Sequence, residues 1–236
     1  MKRVWTEAKA VPEGAVWKIE LDGKPLRIPG AGTPLRMANP ALAQAVAAEW
    51  HGAGDTLTMD DLPLTRLAGT AQDRIAPDPV PVAAAMALYA QSDVLCYRAS
   101  HPAELASRQE ARWQPWLDWA ADRYGARLMP AEGIVHRPQH PEALARLAAA
   151  YAALSPDALA ALGIAVPALG SAVLGLALQA GALTAEDAFA VAHLDELFQA
   201  EQWGEDASAA VRRRHVLADL ALAEQYMRLT GGAWAR

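Results

Sequence analysis

Val16-Trp17-Lys18-Ile19-Glu20-Leu21-Asp22-Gly23-Lys24 is the stretch on which the fold turns. Apolar and polar residues alternate through it, the period of a half-buried strand. Asp22-Gly23 then supplies the positive φ angles of a tight hairpin before Lys24 to Ile28 return. Downstream the period changes. Asn39 followed by Pro40 starts a helix with Leu42, Val46 and Trp50 along one face, and Gly52-Ala53-Gly54 ends it. Asp61 to Ile75 returns through a turn into another helix, after which Pro77, Pro79 and Pro81 mark a domain boundary. Beyond them, Ala- and Leu-rich periodicity predicts helices over 82–90, 102–125, 141–153, 156–163, 168–180, 185–203 and 207–229. The expected fold class is α+β: a small N-terminal β-containing domain with a hairpin and short helices, residues 1–78, followed by a larger all-helical C-terminal domain, residues 79–236.

Composition excludes several function classes. A formal charge of −6 and a pI near 5.5 do not suit a protein that neutralises phosphates, so no nucleic-acid partner is expected. Cys96 is the single cysteine, which rules out an intrachain disulfide and a cysteine-rich zinc site; between Leu95 and Tyr97 it reads as a small buried hydrophobe. The N-terminal residues carry charge early with no apolar run behind them, so neither a secretory signal nor a transit peptide is read and a cytoplasmic location is expected. Ala158 to Leu183 contains no charged residue and exceeds the spanning length of about 20 residues. Gly163 and Pro167 interrupt it and no Lys or Arg flanks it, so it reads as two buried helices and no membrane insertion is expected.

Leu194 to Gly204 (LDELFQAEQWG) is the candidate functional segment. On a helical period Glu196, Gln199 and Trp203 share one face and Leu194, Leu197 and Phe198 point elsewhere, with Gly204 as the stop. That pattern suits a binding edge, although Glu196 is equally consistent with an ordinary surface carboxylate. His193 and Glu196 have a metal-binding spacing, but no second Glu-x-x-His pair accompanies them and no His-Glu-x-x-His is present, so no metal is expected. Trp113, Trp116, Leu117, Ala120 and Tyr124 form a core stripe, while Trp119 stays open between core and contact surface. Pro115 either kinks this helix or marks its start. Gly170 to Gly175 lacks the Lys-Ser/Thr of a phosphate loop and reads as helix packing; Arg212-Arg213-Arg214-His215 reads as a solvated face with local ion pairs.

Several segments, in order along the chain, together resemble the assembly chaperones that hold the α subunit of the F-type ATP synthase catalytic head, the family of ATP synthase assembly factor 2. They are Leu21-Asp22-Gly23-Lys24, Ala48-Glu49-Trp50, Leu62-Pro63-Leu64-Thr65-Arg66-Leu67, Asp93 to Ala99 (DVLCYRA), Trp113 to Trp119 (WQPWLDW), and Asp195-Glu196 with Gln199 and Trp203-Gly204. Leu62 stands where the family often has Met, and Gln72 and Asp195 also depart from its commoner residues. The resemblance implies no enzymatic activity, no cofactor and no small-molecule substrate; its best-known members act in mitochondria, and with no transit peptide read here a bacterial member is expected. Its implied partner is the unassembled α subunit, which it would keep from aggregating without ATP. The family's acidic position maps onto Glu196, and Gln199, Trp203, Asp195, Trp119 and Asp93 complete the expected partner-binding set. The alternative is a small-molecule enzyme with Asp93, Glu196 and His193 as acid/base groups in an interdomain cleft.

Overall fold

The alternation at Val16–Leu21 builds the central strand of a four-stranded sheet in the computed structural model, which describes residues 1–28 and 32–231. This strand, β2, pairs antiparallel with β1 (Ala8–Glu13) along its whole length, from Ala8 opposite Leu21 to Glu13 opposite Val16. On its other side it pairs with β3 (Lys24–Pro25) and β4 (Arg36–Met37). Asp22 (φ 46°) and Gly23 (φ 78°) make the two-residue turn. The Asp22 carboxylate also accepts the backbone N–H groups of Glu7 and Thr6, which hold it below the usual carboxylate range and tie the chain ahead of β1 to the hairpin. β1 was not expected from the sequence. It contains Pro12, which is tolerated because β1 lies at the sheet edge.

Two helices follow. α1 (Pro40–His51) is capped by Asn39 and buries Leu42, Val46 and Trp50, the face that the spacing predicts. α2 (Pro63–Thr70) continues into one wider π turn, Ala71–Ile75. The residue preceding α2 is Leu62, whose side chain cannot cap it. Glu49 of α1 supplies the cap instead: its carboxylate accepts the N–H groups of Leu64 and Thr65 at 2.8 and 2.9 Å and the Thr65 hydroxyl. That hydroxyl accepts in turn from the Trp50 indole at 2.8 Å, and the Trp5 indole donates to the Trp50 carbonyl. Two segments that carry the family resemblance therefore meet in one lock. Gln72, a departure from the family pattern, accepts from the backbone of Arg36 and donates to that of Pro34, holding the short strand β4 in place.

The described residues form two compact units. The first holds residues 1–79, 155–161 and 225–231; the second holds residues 80–154 and 162–224. The second unit contains α3 (Val80–Leu88), β5 (Tyr97–Arg98), α4 (Ala103–Tyr124), β6 (Ala131–Glu132) parallel to β5, and α5 (Pro141–Ala152). α6 (Pro156–Leu169) contributes to both units. α7 (Ala172–Gln179), α8 (Ala185–Ala192) and α9 (Leu194–Trp203) lie in the second, and α10 (Ala207–Leu229) again contributes to both. With strands β1–β4 near the N-terminus and mainly helices after them, the chain has the α+β class that its pattern predicts, although the part expected to be all-helical also holds the short β5–β6 pair, whose two-residue strands leave no alternation to read.

The charge-free stretch becomes α6 and α7, and among the described residues no helix is long and apolar enough to cross a membrane. α6 runs through Gly163 and Pro167 and stops at Gly170 (φ 60°), six residues later than expected. α7 is buried from Ala172 to Leu178. A β-carbon on Gly175 would overlap Val166 Cγ2 and lie 2.8 Å from the Tyr151 hydroxyl, so glycine there sets the helix approach. The predicted helix 185–203 is two helices, α8 and α9, bent at His193 (φ −100°, ψ 21°). No Gly or Pro announces that corner; the His193 imidazole folds back to stack on Phe189, with ring centres 4.6 Å apart.

Glu49→Ala removes the cap of α2 and leaves two N–H groups and a hydroxyl without this acceptor. We expect a loss of about 2 kcal/mol of unfolding free energy, measured by urea denaturation followed by tryptophan fluorescence.

Candidate functional site

α9 presents the candidate segment as two flanks around a buried seam. Leu194 and Phe198 are buried, Leu197 is half-buried, and Gln199 and Trp203 are exposed. Trp203 ends the helix with 80% of its surface exposed, and Gly204 (φ 89°) turns the chain away immediately after it. A large indole left in water at a helix end is the kind of side chain that anchors protein interfaces.

Glu196 shares that flank but already has partners. Its Oε1 accepts from Arg212 at 3.0 Å and from Arg213 at 3.1 Å, both on α10, and its Oε2 lies 3.5 Å from His193 Nδ1. Partial burial works against its charge, but the two guanidinium groups outweigh this and hold its carboxyl below the usual range. Arg213 is itself buried and pairs with both Glu205 and Glu196, which keep its pKa raised. The run Arg212-Arg213-Arg214 is therefore only partly a solvated face: one guanidinium is sunk beneath α9. Burial pushes the His193 pKa down, and the Glu196 charge opposes the shift. Among the described residues no group of three or more His, Cys, Asp or Glu side chains is gathered as metal ligands would be.

Asp195 faces the opposite way. Its Oδ1 accepts at 2.7 Å from the amide of Gln109, a buried α4 residue whose own carbonyl oxygen accepts the Ala99 N–H at 2.7 Å. Asp195 thus fastens α9 to α4 and to the chain beside β5. Nothing in the sequence pointed to Gln109, because a lone amide in a helix carries no periodic signal. Arg98 joins the same region, donating to Leu95 O, Glu110 and Gln114, with its guanidinium 5.5 Å from the centre of the Trp113 ring.

Trp113 is buried and its indole donates to Val191 O at 2.8 Å, whereas Trp116 is only half-buried. Trp119, also half-buried, stands edge-on to Trp116 and Tyr124, and Arg123 lies 5.7 Å from its ring centre. α4 runs unbroken through Pro115, whose exposed position leaves the missing N–H on the outer side.

Asp93 is corrected most plainly. It is 0% exposed, so its carboxylate touches no partner directly. Its oxygens accept the N–H groups of Leu95 at 3.2 Å and Val173 at 3.1 Å, and Ser171 caps Leu174 beside it. The group holds the N-terminus of α7. Burial pushes its pKa up to about 6 against the downward pull of these donors. Burial also pushes the neighbouring Cys96 thiol up to about 12, far from a thiolate nucleophile. Of the alternative acid/base set, His193 and Glu196 meet at 3.5 Å but Asp93 does not join them: it lies in the interior on backbone donors, while Glu196 lies at the surface on arginines.

Comparison with known proteins places this geometry. The family described as ATP12 chaperone protein matches residues 2–121. Atp12 from Paracoccus denitrificans is 38% identical with a TM-score of 0.92, over 97% of this chain and 98% of that one. A point mutant of the same organism's Atp12p matches equally well, over 97% of each chain. A protein from Agrobacterium tumefaciens is 41% identical with a TM-score of 0.90, over 96% of this chain and 85% of that one.

Two outcomes follow for stability. The raised pKa of Asp93 means that the folded protein keeps this proton more tightly than the unfolded chain does. Its contribution is full below the unfolded value of 3.8 and declines as pH rises towards about 6. Asp93→Asn offsets the whole stability profile but removes that declining limb, which urea denaturation from pH 4 to 7 will show. Glu196→Lys sets an ammonium against two guanidinium groups and lowers the melting temperature, while Trp203→Ala, at an exposed helix end, leaves it nearly unchanged; calorimetry of the two variants separates these effects.

Proposed function

This chain belongs to the ATP12 chaperone family, and from that premise we propose that it is an F-type ATP synthase assembly chaperone that binds the unassembled α subunit and keeps it from aggregating. The observation that carries the reading is the exposed Trp203 edge of α9, set in a chain that matches Atp12 over nearly its full length. An unassembled α subunit exposes apolar surface that later packs against other subunits, and a folded partner that covers this surface suppresses aggregation by mass action. No nucleotide hydrolysis is required. Trp203 is the anchor and Gln199 the adaptable polar contact beside it. Glu196 acts in two ways: it holds α9 to α10 through Arg212 and Arg213, and its remaining exposed edge offers a carboxylate to a cation on the client. Asp195 positions α9 through Gln109, and Trp119 belongs to a separate aromatic cluster on α4.

Isolated α subunit, incubated with this protein in the absence of ATP, is expected to stay soluble and to co-elute with it on a sizing column. Trp203→Ala is expected to weaken the complex by about 2 kcal/mol, roughly thirtyfold, with the fold intact. Titration calorimetry gives that number, and equal binding by parent and variant sinks the Trp203 edge as the contact.

A further inference from the structure

α9 has a second usable flank, away from Trp203. There α4 and α8–α9 enclose a concavity of about 270 Å³ lined by Ala190, Leu194 and Leu197, with Arg108, Arg112 and Glu201 around it. Its size is below the roughly 300 Å³ at which small-molecule pockets begin, and it suits one large side chain. The rim charges are unequal in availability. Arg108 is held by Glu104 at 2.8 Å and Glu201 at 2.6 Å, and lies 5.1 Å from the centre of the Phe198 ring, so it braces α4 against α9. Arg112 is exposed, one helical turn further along the same face of α4, and has no ion pair among the described residues. An apolar pit beside an uncommitted guanidinium complements an apolar side chain with a carboxylate next to it.

We propose that this groove is a second docking site for the client of the proposed function, taking an apolar residue flanked by Asp or Glu. The client then grips α9 on both flanks, by Trp203 on one and by this pit on the other. The inference rests on the proposed function, so the test keeps the two apart.

Ala190→Phe fills the pit from a half-buried position without adding charge, and Arg112→Glu reverses the free cation without breaking an ion pair. Binding of isolated α subunit is measured for the parent and both variants at two salt concentrations. Ala190→Phe is expected to weaken the complex roughly tenfold or more. Arg112→Glu is expected to slow association and to flatten its salt dependence. Unchanged binding in both variants, with the parent bound, overturns the groove and leaves the proposed function standing. If the parent itself fails to bind, the proposed function falls, and octanoate, an apolar chain ending in a carboxylate, is titrated into the protein alone. Saturable shifts of the Leu194 and Leu197 methyl resonances that both variants abolish retain the pit as a site for this chemistry. Absence of such shifts overturns it.

Discussion

A buried carboxylate on backbone donors is the constraint from which the helical unit is built. α7 has no exposed face, so the N–H groups of its first turn have no water to bind and must find acceptors within the protein. Asp93 and Ser171 supply them, and Asp93 also accepts from Leu95 in the turn that leads into β5. One side chain therefore joins the start of the central helix to a segment 80 residues earlier in the chain. Burying a carboxylate opposes its charge, as the raised pKa records, but leaving helix donors unmet in an apolar interior would cost more.

The first unit solves the same problem with the same chemistry. α2 begins at Pro63 behind a leucine that cannot cap it, and Glu49 reaches from α1 to accept two of its N–H groups. In both units an acidic residue caps a helix from elsewhere in the chain, and both Glu49 and Asp93 lie in segments that carry the family resemblance. Such residues hold the scaffold on which contact surfaces are displayed.

α9 is where scaffold and surface meet. Asp195 binds Gln109 on α4, Arg108 bridges to Glu201, and Glu196 binds two arginines of α10. These ties fix the helix from both sides, and the buried Leu194 and Phe198 fix it from beneath. What remains exposed is then presented rigidly, which lowers the ordering cost when a partner binds. Glu196 is thus engaged by α10, whereas Trp203 has no such ties among the described residues and stays open to water.

Much of this was legible in the residues themselves. The period-two alternation and Asp22-Gly23 determined the hairpin, the helical period determined the buried face of α1 and, in α4, the burial of Trp113, Leu117 and Ala120 but not of Trp116 or Tyr124, and Gly204 determined where α9 stops, because each depends on neighbours within a few positions. Strand β1 was missed, since Ala8 to Glu13 has no clean alternation and its partner alone makes it a strand. The corner at His193 was missed because a single bent residue leaves the period on either side unchanged. Sequence also marked Asp93, Asp195, Glu196 and Trp203 as residues of interest but could not rank them. Only the tertiary structure decided that Asp93 is an internal cap, that Asp195 and Glu196 are engaged and that Trp203 is free in water. A side chain's availability depends on what distant segments place against it, and no local pattern records that.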